Sequence, residues 1–381
     1  MPVEIRILFL ADSHLGFDTP VRARVERRRR GDDFFANYHA ALEPALRGEV
    51  DVVVHGGDVF NRSAPAKEVA YRALEPLRRI AERGVPVLVV PGNHERSRIP
   101  YARFMAHSNV HVFDRAQSFV LDVRGQRVAF AGFPYARDNV RAGFPELLRE
   151  TGWREHRDCP LILCVHHCVE GATVGPADYT FTTADDVIRL RDIPSRFSAV
   201  LSGHIHRHQV LAADLDGRPI SAPVLYPGSI ERTSLAEINE PKGFMIVSLI
   251  DGVARWEFRQ LPARPMIHRD VDGRAMSESA LDATIRSIIE TAPSDAVLSI
   301  RVSGDLSASQ WRLLSTARLR TLAPHTMNVE INAPSWRAAR TSTNGGDAPA
   351  PRRKLHSAAA SEASQAFVDR GAEVLPGFFG E

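Results

Sequence analysis

With 381 residues, 44% of them apolar and 25% charged, the chain is long enough for one large domain or two ordinary ones, each with a sizeable core. Its net charge of +2 excludes any argument for nucleic-acid binding from bulk charge, so a basic surface has to come from local clustering of its arginines. Three bunched cysteines (Cys159, Cys164, Cys168) exclude a disulfide framework, and the absence of a signal-peptide pattern or a membrane-length apolar run predicts a cytoplasmic protein.

Residues 3–10 alternate and then turn wholly apolar, which predicts a strand becoming buried, and they lead into Asp12 and His14. The run Arg27 to Arg30 reads as a solvated face, with phosphate contact as the sharper alternative. Helical spacing follows at 34–46. A second apolar strand at 50–55 delivers Gly56-Gly57-Asp58 and Asn61. A helix at 67–83 stops at Gly84, and a strand at 85–90 delivers Gly92-Asn93-His94-Glu95. Strands are predicted at 110–113, 119–123 and 128–133, and a helix at 139–150. A strand at 161–165 ends at His166-His167. The strand at 197–201 ends at Gly203-His204-Ile205-His206. Antiparallel strands then follow to residue 258, with turns at Asp216-Gly217 and Asp251-Gly252. The pattern predicts a first domain over 1–262. From 263 to 333 a strand–helix–strand–helix–strand order predicts a compact second unit, its helices at 278–290 and 307–322. Residues 334–381, rich in Ala, Ser, Arg and Gly, read as a flexible linker with a candidate helix near Phe367.

Five strands thus end in groups able to hold a metal: Asp12 and His14, Asp58, Asn93, His166, then His204 and His206. Sites in such sheets form outside the carboxyl ends of strands. Each residue alone has a plain structural explanation, such as a turn, a cap or a hydrogen-bonded histidine. The same explanation does not serve five times, always at a strand end. The donors are carboxylate, imidazole and amide oxygen without thiolate, which suits manganese, iron, zinc or magnesium rather than a Cys-rich zinc site. Seven groups exceed one tetrahedral ion and fit two ions sharing a carboxylate, an arrangement that clamps the attacking and leaving oxygens of displacement at phosphorus. His94, next to Asn93, faces the same cleft and is placed to stabilise charge or protonate the leaving oxygen.

In this order Asp-x-His, Gly-Asp-x-x-Asn, Gly-Asn-His-Glu, a later His and Gly-His-x-His resemble the signature of the calcineurin-like metallophosphoesterases. Leu225 to Thr233, Glu237 and Lys242-Gly243-Phe244 resemble one branch, the SbcD-type DNA repair exonucleases, bacterial relatives of the meiotic-recombination nuclease. That resemblance implies an α/β fold: a β-sandwich flanked by helices, with a small α/β capping domain at 263–333. It implies one ion on Asp12, His14, Asp58 and His206, the other on Asp58, Asn93, His166 and His204, with His94 catalytic and manganese as the first choice of metal. His166 rather than His167 is the expected ligand, because it directly ends the apolar run. It further implies a homodimer acting on DNA ends in double-strand-break repair, associated with the nucleoid and with no membrane. An SbcC-type coiled-coil ABC ATPase would bind the C-terminal tail. Asn61 departs from the pattern, standing where many members carry a second active-site histidine. Two readings compete: a stand-alone phosphodiesterase for small nucleotides or phosphoproteins, and a non-enzymatic DNA-end scaffold.

Overall fold

The computed structural model describes residues 3–20 and 27–332, so the linker and candidate helix expected at 334–381 lie outside the described residues. The described chain divides into two compact units. One comprises residues 3–19 and 30–263; the other comprises residue 20, residues 27–29 and 264–332.

The first unit is built on two six-stranded sheets. Its elements run β1 (Glu4–Leu10), α1 (Arg30–Leu46), β2 (Val52–His55), α2 (Lys67–Glu82), β3 (Val87–Val89), β4 (Val110–Val112), β5 (Gln117–Val123), β6 (Gln126–Gly132), α3 (Val140–Glu150) and β7 (Leu161–Val165). Four two-residue strands follow: β8 (Cys168–Val169), β9 (Thr173–Val174), β10 (Tyr179–Thr180) and β11 (Val187–Ile188). The unit closes with β12 (Ala199–Ser202), β13 (Gln209–Ala213), β14 (Pro219–Tyr226), β15 (Gly243–Ile250) and β16 (Val253–Gln260). One sheet has the order β16-β15-β1-β2-β3-β4, the other β13-β14-β12-β7-β6-β5. Within them β1, β2, β3 and β4 run parallel, as do β6, β7, β12 and β14.

The apolar runs follow from this layering. In β1, Ile5, Ile7 and Phe9 point into the space between the sheets, beside Val54, Phe130, Ile162, Leu201 and Met245. Leu8 and Leu10 point the other way, against Phe34, Tyr38 and Leu42 of α1 and Leu74, Leu77 and Ile80 of α2. In the second sheet Ala131, Leu163, Val165 and Val200 face out against Phe144 and Leu148 of α3. A parallel strand buried on both faces has no polar alternation. Each large side chain so buried contributes about 1.5–3 kcal/mol.

The second unit is a parallel three-stranded sheet, β17 (Met266–Asp272), β18 (Val297–Ser303) and β19 (Asn328–Asn332), in that order. With helices α4 (Glu278–Thr291), α5 (Ala308–Leu313) and α6 (Thr316–Leu322), it forms a core in which Leu281, Ile285 and Ile289 of α4 and Leu319 of α6 meet Leu298 and Ile300 of β18. The single helix expected at 307–322 is two. Ser307 caps α5 with a capping box to Gln310, and Ser315 stands at the N-cap of α6, so the chain restarts between them. Helix α1 begins at Arg30, ahead of the apolar spacing, with Asp32 and Asp33 in its first turn suiting the helix dipole.

The arginine run is neither a solvated face nor a phosphate cradle at its two ends. The Arg27 guanidinium donates to the carbonyls of Pro324 (2.7 Å), Met327 (3.1 Å), Ala323 (3.3 Å) and Arg320, covering the otherwise unsatisfied end of α6. Arg30 is buried, donating to Asp33 (3.2 Å) and to the Arg232 carbonyl (2.7 Å), with Glu231 at 3.5 Å.

Candidate metal centre

The carboxyl ends of β1, β2, β3, β7 and β12 converge. Asp12, His14, Asp58 and His166 are fully buried there, while Asn93, His94, His204 and His206 are half-buried at the edge. Asp58 is the hub: its Oδ2 lies 3.3 Å from His166 Nε2, 3.9 Å from His14 Nε2 and 4.0 Å from His94 Nε2. On one side of it His14 Nε2 and His206 Nε2 stand 2.9 Å apart. On the other, Asn93 Oδ1 lies 3.1 Å from His166 Nε2 and 3.0 Å from His204 Nδ1. Asp12 reaches both sides, since it joins His14 and His206 in one potential metal cluster and Asp58 and His166 in another. Asp12 also accepts the His204 backbone N–H at 3.1 Å. All eight side chains singled out in the sequence therefore meet. His94 falls in a cluster with His14 and Asp58, so proximity by itself does not separate it from the other donors.

The glycines of the motifs have a steric cause. A Cβ on Gly57 would lie 2.3 Å from His166 Nδ1, and one on Gly92 would lie 2.2 Å from Asp58 Oδ1. Each glycine precedes a donor because the neighbouring donor's side chain occupies the space a Cβ would need. The donors themselves are strained: Asp12, His14, Asp58 and His204 all sit at positive φ (51°, 42°, 51° and 82°). Such conformations cost about 1 kcal/mol or more each and concentrate at functional sites.

Hydrogen bonds behind the rings fix which nitrogen faces inward. His166 Nδ1 donates to the Gly56 carbonyl at 2.7 Å, which turns Nε2 towards Asp58. His206 Nδ1 donates to Glu237 Oε1 at 3.2 Å, and His94 Nδ1 to the Asn61 carbonyl at 2.8 Å. Asn61 thus orients His94 through its backbone, which does not depend on the side chain at that position. His167 lies apart, its Nε2 accepting the Ala136 N–H at 3.0 Å and its ring stacked on Tyr135.

Two residues gain roles that the sequence motifs did not suggest. Glu95 is buried and accepts N–H groups from Phe60 (2.8 Å) and Gly92 (2.7 Å), clasping the Asp58 and Asn93 loops together. Glu237 stands behind His206. Both sit inside the quoted motifs, but nothing in the sequence marks a carboxylate that acts through a neighbouring group. Tyr135 places its ring 5.7 Å from that of His204 and 6.2 Å from that of His166.

Electrostatics describe a site that wants cations. Burial raises the Asp12 carboxyl against the pull of His166 and His206. Burial pushes Asp58 the same way, but His166, His94 and His14 around it hold it well below the usual carboxylate range. Burial lowers His14 and takes His204 down to about 3, favouring neutral, ligating imidazoles. His166 runs the other way, raised to about 9, because Asp58 and Asp12 overcome its burial. The donor set fits a pair of divalent cations on one structural ground in particular. His206 must present a lone pair at Nε2, and it faces another imidazole nitrogen at 2.9 Å in a cluster with Asp12. His14 Nδ1 meanwhile is buried with no hydrogen-bond partner among the described residues, which leaves Nε2 as the ring's one engaged nitrogen.

Comparison with known families bears on this geometry. Residues 5–208 match the family model of the calcineurin-like phosphoesterases. The chain belongs to that family. The two-sheet core with helices on its outer faces is this chain's form of that family's fold. A DNA double-strand break repair protein Mre11 from Methanosarcina mazei is 26% identical over 81% of this chain and 46% of its own length. Another protein so named, from Thermoplasma acidophilum, is 24% identical over 79% of this chain and 77% of its own. A metallophosphoesterase of Bacillus subtilis, YhaO, uncharacterized by its name, is 28% identical over 66% and 57% respectively. The chain spans about half the length of the first such relatives. Among solved structures, a dimetal phosphatase of Danio rerio aligns with 67% of this chain and 99% of its own at 13% identity, with a TM-score of 0.42. Among the described residues no helix is long and apolar enough to cross a membrane.

Proposed function

We propose that the chain is a two-metal DNA nuclease of double-strand-break repair, the hydrolytic subunit of a complex with a coiled-coil ATPase of the SbcC type. The observation that carries the reading is the convergence around Asp58 of six further donors from four other strand ends, backed by relatives named for DNA double-strand break repair. One ion is assigned to Asp12, His14, Asp58 and His206, the other to Asp58, Asn93, His166 and His204. The 2.9 Å approach of His14 to His206 and the shared contact of His166 and His204 with Asn93 support that division. Manganese is the metal proposed. When bound, the pair supplies Lewis acidity toward the phosphoryl oxygens and activates water.

The protein's own groups do the rest. Asp58 and Asp12 would neutralise the cations. Asn93 Oδ1 stands 3.1 Å from His166 Nε2 and 3.0 Å from His204 Nδ1, close enough for the three to meet at one ion. His94, with Nδ1–H committed to the Asn61 carbonyl, turns Nε2 into the cleft, where it holds or delivers a proton at the leaving oxygen. A homodimer that presents two such centres to DNA completes the proposal. The deciding assay offers linear duplex DNA, hairpin DNA and cyclic nucleotides to the purified chain with Mn2+, alone and with the ATPase. Cleavage of duplex ends is the expected result; hydrolysis of cyclic nucleotides alone would overturn the nuclease reading.

A further inference from the structure

Residues 225–244 carry the branch resemblance yet contribute none of the metal donors, and the structure shows what the end of this stretch does. Lys242 is completely buried. Its ammonium donates to Glu237 Oε2 (2.5 Å), to the His206 carbonyl (3.0 Å) and to Glu240 Oε2 (3.3 Å). Glu237 in turn accepts from His206 Nδ1 (3.2 Å), from Thr233 through Oγ1 (2.6 Å) and N (3.2 Å), and from Ser229 Oγ (3.2 Å). The Ser229 N–H reaches the His206 carbonyl at 3.0 Å. His206 is therefore gripped at its ring and at its backbone by one buried charge network.

Stability alone is a poor reason for such a network. Desolvating an ammonium and two carboxylates costs several kcal/mol per ion, and apolar residues of the same shape often do better. The asymmetry across the centre supplies another reason. Behind His166 stands a neutral carbonyl, Gly56; behind His206 stands a carboxylate. A carboxylate on Nδ1–H fixes the tautomer and makes Nε2 a stronger donor, and losing such a partner typically weakens metal binding ~10–100-fold.

We propose that Glu237, anchored by Lys242, is a positioning residue for His206: it holds Nδ1 protonated and aims Nε2, so that the ion on His206 binds more tightly than the ion on His166 and His204. The inference rests on the two-metal reading above. Mn2+ binding to the full chain, followed by the EPR signal of free Mn2+, tests it. Wild type should take up two ions, and Glu237→Gln should weaken one of them ~10–100-fold while leaving the other unchanged. In a His206→Ala background the same change should add nothing, a non-additivity that a merely structural glutamate would not produce. Should Glu237→Gln fail to fold, Glu237→Gln with Lys242→Met removes both charges and is read instead. Histidine-labelled wild type gives a measurement free of folding risk: the nitrogen spectrum should show His206 protonated at Nδ1. Two wild-type affinities in folded Glu237→Gln, or an unprotonated Nδ1, would overturn the proposal. If wild type takes up no Mn2+, Co2+ or Zn2+, it is the two-metal reading that fails.

Discussion

Around the metal centre the backbone works against local preference. Asp12, His14, Asp58 and His204 sit at positive φ, Asp12, Asp58 and His166 are buried beside one another, and three glycines precede donors. The three-stranded unit does the opposite. Ser277 caps α4 on the Ala280 N–H, Ser307 and Gln310 close a capping box on α5, and strand side chains alternate between the helix-covered face and the other. Sequences are locally consistent where only folding is at stake and break their own rules where chemistry is built. The difference teaches that changes in the first region should remove function with little effect on stability, and changes in the second should do the reverse.

The sharpest way to break that contrast is Asp58→Asn. With its hub uncharged, the centre should lose both cations and turnover should fall by more than ~10⁴-fold, while the melting temperature measured with excess chelator stays within a few degrees of wild type. Metal analysis after gel filtration checks the first part. Retention of two ions would overturn the proposed assignment of Asp58 to both. His94→Asn is the next largest. Nε2 is lost but the loop remains tied by the His94 N–H to Asp58 Oδ1 at 3.0 Å, so metal content should be unchanged and kcat should fall ~10²–10⁴-fold. Wild-type turnover in that variant would place the proton transfer elsewhere.

In the second unit Leu281→Ala removes a fully buried side chain from the core shared with Ile285, Ile289 and Leu298. The expected loss is ~2–5 kcal/mol, read from the hydrogen exchange of β18, with Mn2+ stoichiometry unchanged. Loss of metal binding on that change would show that the two regions are not separable in the way their sequences suggest.

How far this was legible in the chain depended on where the cause lay. Strands buried on both faces write themselves as apolar runs, and a donor at each run's end, after a glycine for Asp58, Asn93 and His204, made those three together with Asp12 and His166 stand out as candidates without a structure. Arg27 and Arg30 were not, because their partners lie at Pro324 and Met327 in one case and at Glu231 in the other, far along the chain. The break between α5 and α6 escaped because Trp311, Leu314 and Leu319 keep helical spacing across it; only the serine at 315 signals the restart. Residues 168–188 form strands of two residues each, too short for any periodicity to register. Glu237 escaped as well, since a carboxylate acting through another side chain has no motif of its own.

The smallest effect concerns Glu330 and turns on pH. On β19 it pairs in register with Ser299 of β18, whose hydroxyl faces His268 Nδ1 at 3.3 Å on β17. Val329 and Ile331 pack toward the helices, so Glu330 occupies the other face. Burial pushes its carboxyl up from 4.5 to about 7. The folded state therefore holds a proton that the unfolded chain releases above pH ~4.5, and ∂ΔG/∂pH of unfolding is negative between those values. Stability of this unit should fall as pH rises from about 4.5 to about 7 and then level off. Because the side chain keeps some contact with water, the loss should be about 1–2 kcal/mol rather than the full value of the shift. Exchange of the β18 amides, corrected for intrinsic rates at each pH, measures it without interference from the histidines of the metal centre. Glu330→Gln should flatten the slope and raise stability at pH 8. A slope that survives the substitution would assign the proton to another group, and the second unit would then carry a buried charge conflict of its own, eroding the contrast with the metal centre.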